Sequence, residues 1–136
     1  MTDIHVEYPG GLDEARVNSK NYIDAAAGEA RARYITIAPG QAETYTAKAA
    51  QAEAYLAAGA PGDLSAWHWI RADAQAFGMS GETAASSILA NRDAWVQLGA
   101  HIEEIRLRAK AAVNAASSPM ECARVLRAAK ADLEAL

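Results

Sequence analysis

An all-α fold follows from three observations. Alanine, the strongest helix former, supplies 35 of the 136 residues. Apolar residues recur at i, i+4, i+7 in the longer stretches, which is the period of one helix face. Glycine, proline and serine cluster between those stretches and break them. The expected architecture is four or five helices with short connections, a long heptad-bearing helix, a C-terminal helical hairpin and a short extended N-terminal arm. The arm covers 1–11 and a single α-helical domain covers 12–136.

The arm is read from Ile4, Val6 and Tyr8, which alternate with polar residues before Pro9-Gly10-Gly11. The first helix spans 12–34, starting anywhere from 12 to about 21 because 13–21 is mostly polar; Ile23, Ala27, Ala30 and Tyr34 form its face. Thr36 to Gly40 is a break, and Pro39-Gly40 forces it. A second helix covers 41–58 on a Tyr45, Ala49, Ala52, Leu56 stripe. Gly59-Ala60-Pro61-Gly62 ends it, and Asp63 or Ser65 can cap a third helix through a side-chain oxygen. That helix places Trp67, Ile70, Ala74 and Phe77 on one face and is the most aromatic segment.

After Gly78-Met79-Ser80-Gly81 a long helix runs over 82–116. Ile88, Trp95, Ile102 and Ala109 interleave with Asn91, Leu98, Ile105 and Ala112 at 3-4 spacing, a heptad seam with Asn91 as its one polar member. Ile88, Trp95, Leu98, Ile102 and Ile105 are accordingly the candidates for self-association. Ser117-Ser118-Pro119 is the sharpest boundary: Ser118 at N-cap, Pro119 at N1 and Glu121 at N3 make a capping box. The last helix carries Cys122, Val125 or Leu126, Ala129, Leu133 and Leu136 on one side, and the tight turn before it makes an antiparallel hairpin. Alanine faces bury little area each, and apolar burial is worth about 25 cal/mol per Å². A thin core of this kind favours a partner or a homo-oligomer.

The formal net charge is −4, which argues against the basic face that duplex nucleic acid requires. The carboxy-terminal third is locally basic, with Arg106, Arg108, Lys110, Arg124, Arg127 and Lys130; these read first as solvated helix faces. No stretch of about 18 uncharged apolar residues offers a membrane span, and the amino terminus lacks a signal-peptide pattern. A single cysteine, Cys122, cannot close an internal disulfide and reads as a small buried hydrophobe.

Chemistry-bearing patterns are absent. There is no phosphate loop, no G-x-S-x-G, no H-E-x-x-H and no C-x-x-C. His101 and Glu104 stand at i, i+3, a two-ligand fragment, but Glu103-Glu104 ahead of Arg106 and Arg108 reads more simply as an ion-pair ladder. His68, between Trp67 and Trp69, reads as a rim histidine. Neighbouring carboxylates such as Asp13-Glu14 diverge on a helix. The expectation is a non-enzyme with no catalytic residue, cofactor or metal.

The stretch Arg31-Ala32-Arg33-Tyr34-Ile35-Thr36-Ile37-Ala38-Pro39-Gly40-Gln41-Ala42-Glu43-Thr44-Tyr45-Thr46-Ala47-Lys48 resembles the A-R-x-R-Y-I-T-x-x-P-G-Q-x-x-T-Y-x-x-K segment of small alanine-rich proteins encoded beside tail-fibre genes in phages and prophages. The resemblance extends over about 23–116, through the Trp95 helix to Arg106, Ala109 and Lys110. It departs at Trp67-His68-Trp69, where the family carries a Tyr-Pro-Leu type run, and over the first 20 residues. It implies a non-enzymatic tail-fibre assembly factor that binds a fibre or other tail protein in the bacterial host cytoplasm. The alternatives are a virion component self-associating through 82–116 and a small helical regulator of a host protein or nucleic acid. Aromatic residues and arginine dominate binding hot spots, so the candidate partner-binding residues are Arg31, Arg33, Tyr34, Tyr45, Trp67, Trp69, Ile70 and Phe77. The competing reading of 31–48 is a structural corner.

Overall fold

The computed structural model describes residues 10–34 and 41–136; most of the expected arm and the Pro39-Gly40 corner lie outside them. Among the described residues the chain is all-α: α1 (Gly11–Ala32), α2 (Gln41–Ala57), α3 (His68–Phe77), α4 (Gly81–Ala115) and α5 (Pro119–Glu134). Gly11, assigned to the arm, opens α1, so the polar stretch 13–21 is helical. The chain divides into two compact units, Met1–Ile35 with Leu98–Leu136, and Thr36–Gln97.

The first unit packs α1, α5 and the C-terminal half of α4. Ile23, Ile102, Val113, Cys122 and Leu133 are its largest fully buried side chains, surrounded by alanines such as Ala27, Ala30, Ala109 and Ala129. Direction follows from the long-range bonds. Arg16 Nη2 donates to Ala116 O at 2.7 Å and Arg33 Nη2 to Leu133 O at 2.5 Å, so α1 and α5 run parallel. Lys110 and Glu103 of α4 meet Asp24 and Arg31 of α1 in reversed order, which makes that pair antiparallel. The turn at Ala116 to Ser118 sets α5 back along α4, the expected hairpin. Ser118 Oγ accepts from Glu121 N–H at 3.1 Å, as its N-cap role requires. Glu121 in turn accepts from Ser117 N–H at 2.8 Å, one residue earlier than a capping box places it.

The second unit packs α2, α3 and the N-terminal half of α4. Its core is Tyr55, Ile70 and Ile88 among Ala52, Ala74, Ala84 and Ala85. Tyr55 is its largest fully buried side chain. The ring meets Trp67 edge-on at 5.3 Å and 75°, and its hydroxyl donates to Pro61 O at 2.8 Å. Gly81 lets α4 begin against this ring: a Cβ there would fall 2.8 Å from Leu64 Cδ2 and closer still to the Tyr55 hydroxyl. Ser80 caps α4, accepting from Thr83 N–H at 3.1 Å. Neither Asp63 nor Ser65 caps α3. Asp63 instead accepts from Ser65 N–H at 3.0 Å within the preceding turn. The first amides of α3 go to another helix: Gln51 Oε1 accepts from Trp69 N–H at 2.7 Å and Ile70 N–H at 3.1 Å.

The heptad seam of α4 does not persist as one stripe. Ile88 is buried in the second unit and Ile102, Ile105 and Ala109 in the first, while Asn91 and Ala112 are exposed. Val113 and Ala116 then replace Ala112 on the buried side. A straight helix drifts by about 20° per heptad from a 3.5 repeat, so a strict heptad seam does not stay on one face.

Candidate protein-interaction surface

The residues singled out by the sequence separate into three groups. In the first, polar ends are spent inside the chain. Arg31 Nη2 donates to Glu103 Oε2 at 2.9 Å, linking α1 to α4. Arg33 supplies a donor to Leu133 O in the last turn of α5, and the Tyr34 hydroxyl donates to Leu136 O at 2.6 Å, just past that helix. Carbonyls of a last turn have no partner within their own helix. The Arg-x-Arg-Tyr element therefore ties three helices together at one end. Tyr34, expected on the buried face, is half-exposed and held by its hydroxyl.

The second group is covered by apolar packing. Ile70 is fully buried and Trp67 half-buried against Tyr55, so neither presents a free anchor. Of the self-association candidates, Ile88, Ile102 and Ile105 are buried in the chain's own cores. A partner copy cannot reach them without unpacking those cores. Trp95 and Leu98 are half-buried, Leu98 against the core of the first unit.

The third group stays open. Tyr45 is 45% exposed, Trp69 37% and Phe77 70%, and all three belong to the second unit. Their placement follows from the seam between α2 and α3. Gln51 meets the amides of Trp69 and Ile70, and one turn further along Lys48 Nζ pairs with Asp73 Oδ1 at 2.8 Å. The helices are thus antiparallel, and one more turn in the same direction leads to Tyr45 on α2 and Phe77 on α3. The buried stripe of each helix ends at Ala49 and Ala74. Tyr45 and Phe77 continue those stripes past the core, beside Lys48 and Asp73, which already satisfy each other. Met79 N–H and Gly78 N–H both return to Ala74 O, and Gly78 at φ 64° turns the chain away after Phe77. The sequence missed Tyr55 and Gln51, which organise this surface. Ala49, Ala52 and Tyr55 keep i, i+3, i+6 spacing, which carries the signal for Tyr55; Leu56, its neighbour on the expected stripe, is only half-buried.

Charge is concentrated elsewhere. Lys110 and then Arg106 donate to Asp24 and hold its carboxyl below the ordinary aspartate value. Arg106 and then Arg31 lower Glu103, and Arg106 is raised in return. With Glu104–Arg108, this is the predicted ion-pair ladder, extended across to α1. Arg106, Arg108 and Lys110 are therefore neutralised. Arg124, Arg127 and Lys130 are exposed on α5 without an ion-pair partner among the described residues. Arg106 faces α1 while Arg124 and Arg127 face solvent, so the three do not make the shared basic face that nucleic acid would need. Cys122 is buried, as expected. Among the described residues no cluster of three or more His, Cys, Asp or Glu could hold a metal, and no helix is long and apolar enough to cross a membrane. No protein-family model, curated protein or solved structure matches the chain.

Proposed function

We propose that the chain is a non-enzymatic binding protein whose partner docks on the open aromatic end of the second unit. The observation that carries this reading is the overhang: Tyr45 and Phe77 extend a core stripe beyond its last buried residues and remain exposed, while Trp69 is exposed two turns back along the same helix. Rigid aromatic side chains give large contact area at low ordering cost. The resemblance of 31–48 supplies the class of partner, a phage tail-fibre or related tail protein held before assembly. β-rich fibre chains expose unpaired edges before they trimerise, and a neutral apolar helical surface suits transient cover of such a segment. Arg31, Arg33 and Tyr34 take the structural role of holding the first unit together, and Ile70 and Trp67 pack the core of the second.

The test is co-expression of a tail-fibre protein with the wild-type chain or with a Tyr45→Ser/Phe77→Ser double variant, scoring soluble trimeric fibre. Wild type should raise the yield and the variant should not, while both chains remain equally helical. If the fibre folds equally well alone, the assembly role fails. If the variant works as well as wild type, the surface is misassigned.

A further inference from the structure

The first unit has an open groove of its own, unrelated to the aromatic surface of the second. It lies between α1 and α5, has a volume of about 310 Å³, and is walled by Tyr22, Ala25, Ala26 and Glu29 on α1 and by Leu126 and Lys130 on α5. The α1/α4 seam on the other side of α1 is closed by the pairs of Asp24, Glu103, Arg31, Arg106 and Lys110. The α1/α5 groove has no such bridge. Glu29 and Lys130 are both exposed, and neither has an ion-pair partner among the described residues. Tyr22 stands beside them at 63% exposure.

We propose that this groove is where two copies of the chain associate, face to face and related by a two-fold axis parallel to the helices. Charge and register select a second copy as the occupant. Because α1 and α5 run parallel, Glu29 lies at the level of Lys130. A two-fold axis along that direction sets α1 of one copy over α5 of the other at the same height. Each Glu29 then meets the partner's Lys130, and the contact is made twice, as an isologous interface requires. Tyr22 enters the partner's groove as the aromatic anchor. The face is two helices wide at about 9 Å between axes and about 24 Å long, from the 1.5 Å rise per residue. It covers on the order of 500 Å² per copy, below the roughly 800 Å² of a standard stable interface. The association is therefore weak and concentration-dependent.

The test is sedimentation velocity of the full chain from low to high micromolar concentration, with Glu29→Lys, Lys130→Glu and their mixture. Wild type should show a reversible monomer–dimer equilibrium. Each reversal alone should weaken it by at least about tenfold, because it sets like charges opposite each other at both contacts. Mixing the two single variants should restore a heterodimer, since both contacts then pair opposite charges again. Tyr22→Ala should weaken association without altering the circular dichroism spectrum. A wild-type chain that stays monomeric at high micromolar concentration overturns the proposal. So does a dimer indifferent to both reversals but lost on Arg108→Glu, which would put the copies instead on a second groove of the first unit, between α4 and α5, walled by Arg108, Ala112, Val125 and Asp132. Neither result bears on the aromatic surface, whose readout is fibre yield.

Discussion

The two units are built from the same alanine-rich helices but are held by different means. The first is fastened from outside: ion pairs between α1 and α4, a guanidinium at the end of α4, and Arg33 and Tyr34 on carbonyls in the last turn of α5 and just past it surround a core of modest aliphatics. The second has ion pairs of its own, Lys48–Asp73 and Arg92–Glu53, but centres on one buried ring, Tyr55, on which Trp67, Pro61 and Gly81 all depend. Alanine permits close helix approach but contributes little area, so each unit needs a supplement. Many exposed polar ties leave a unit tolerant of any single loss; one aromatic keystone does not.

Substitutions can break that contrast at graded strength. Tyr55→Ala should be the most damaging, about 3–5 kcal/mol by the behaviour of buried aromatics, measured by chemical denaturation with Trp67 and Trp69 fluorescence as the probe of the second unit. Ile102→Ala should cost about 2–4 kcal/mol in the first unit. An equal or larger loss there would remove the distinction between keystone and distributed fastening. Gly81→Ala gains helix propensity yet forces the Tyr55 hydroxyl or Leu64 to move, and a net loss of about 1–3 kcal/mol is expected from overpacking; stabilisation would mean the ring relaxes freely. Ser118→Ala, removing the α5 N-cap, should cost about 1 kcal/mol. The smallest effect is that of acid. Asp24 and Glu103 have folded-state pKa values below their ordinary ones. Their contribution is complete above the ordinary carboxylate range and is lost as pH falls below it. Urea titrations should show the first unit weakening only at such acidic pH and Asp24→Asn flattening part of that dependence.

Helix existence and the Ser118 cap were legible in the sequence, because periodicity, Pro119 and the Gly59–Gly62 and Gly78–Gly81 breaks are local signals; the cap of α3, expected at Asp63 or Ser65, was not. The hairpin of α4 and α5 was legible for the same reason. The division into two units was not. The seam of α4 looks continuous in sequence, and only its distribution between separate cores shows that Ile88 and Ile102 serve different partners. Tertiary polar roles were equally hidden. Arg16 at Ala116 O and Gln51 at the start of α3 act on residues 100 and 18 positions away, where no spacing rule reaches. The aromatic surface was half legible. Its composition pointed to 67–77, but which rings end up under the core and which beyond it depends on where each helix outruns its neighbour.

The cap that Gln51 places on α3 has a consequence for how that helix exists. Ten residues are too few to hold a helix alone in water, and Trp67 at its N-cap position makes no side-chain hydrogen bond to it. Its first amides are satisfied only while α2 lies alongside, so forming α3 and docking it are one event, not two. Hydrogen exchange at the Trp69 and Ile70 amides consequently reads the docked population directly. Any partner that grips Phe77 at the far end of the same short helix draws on that population.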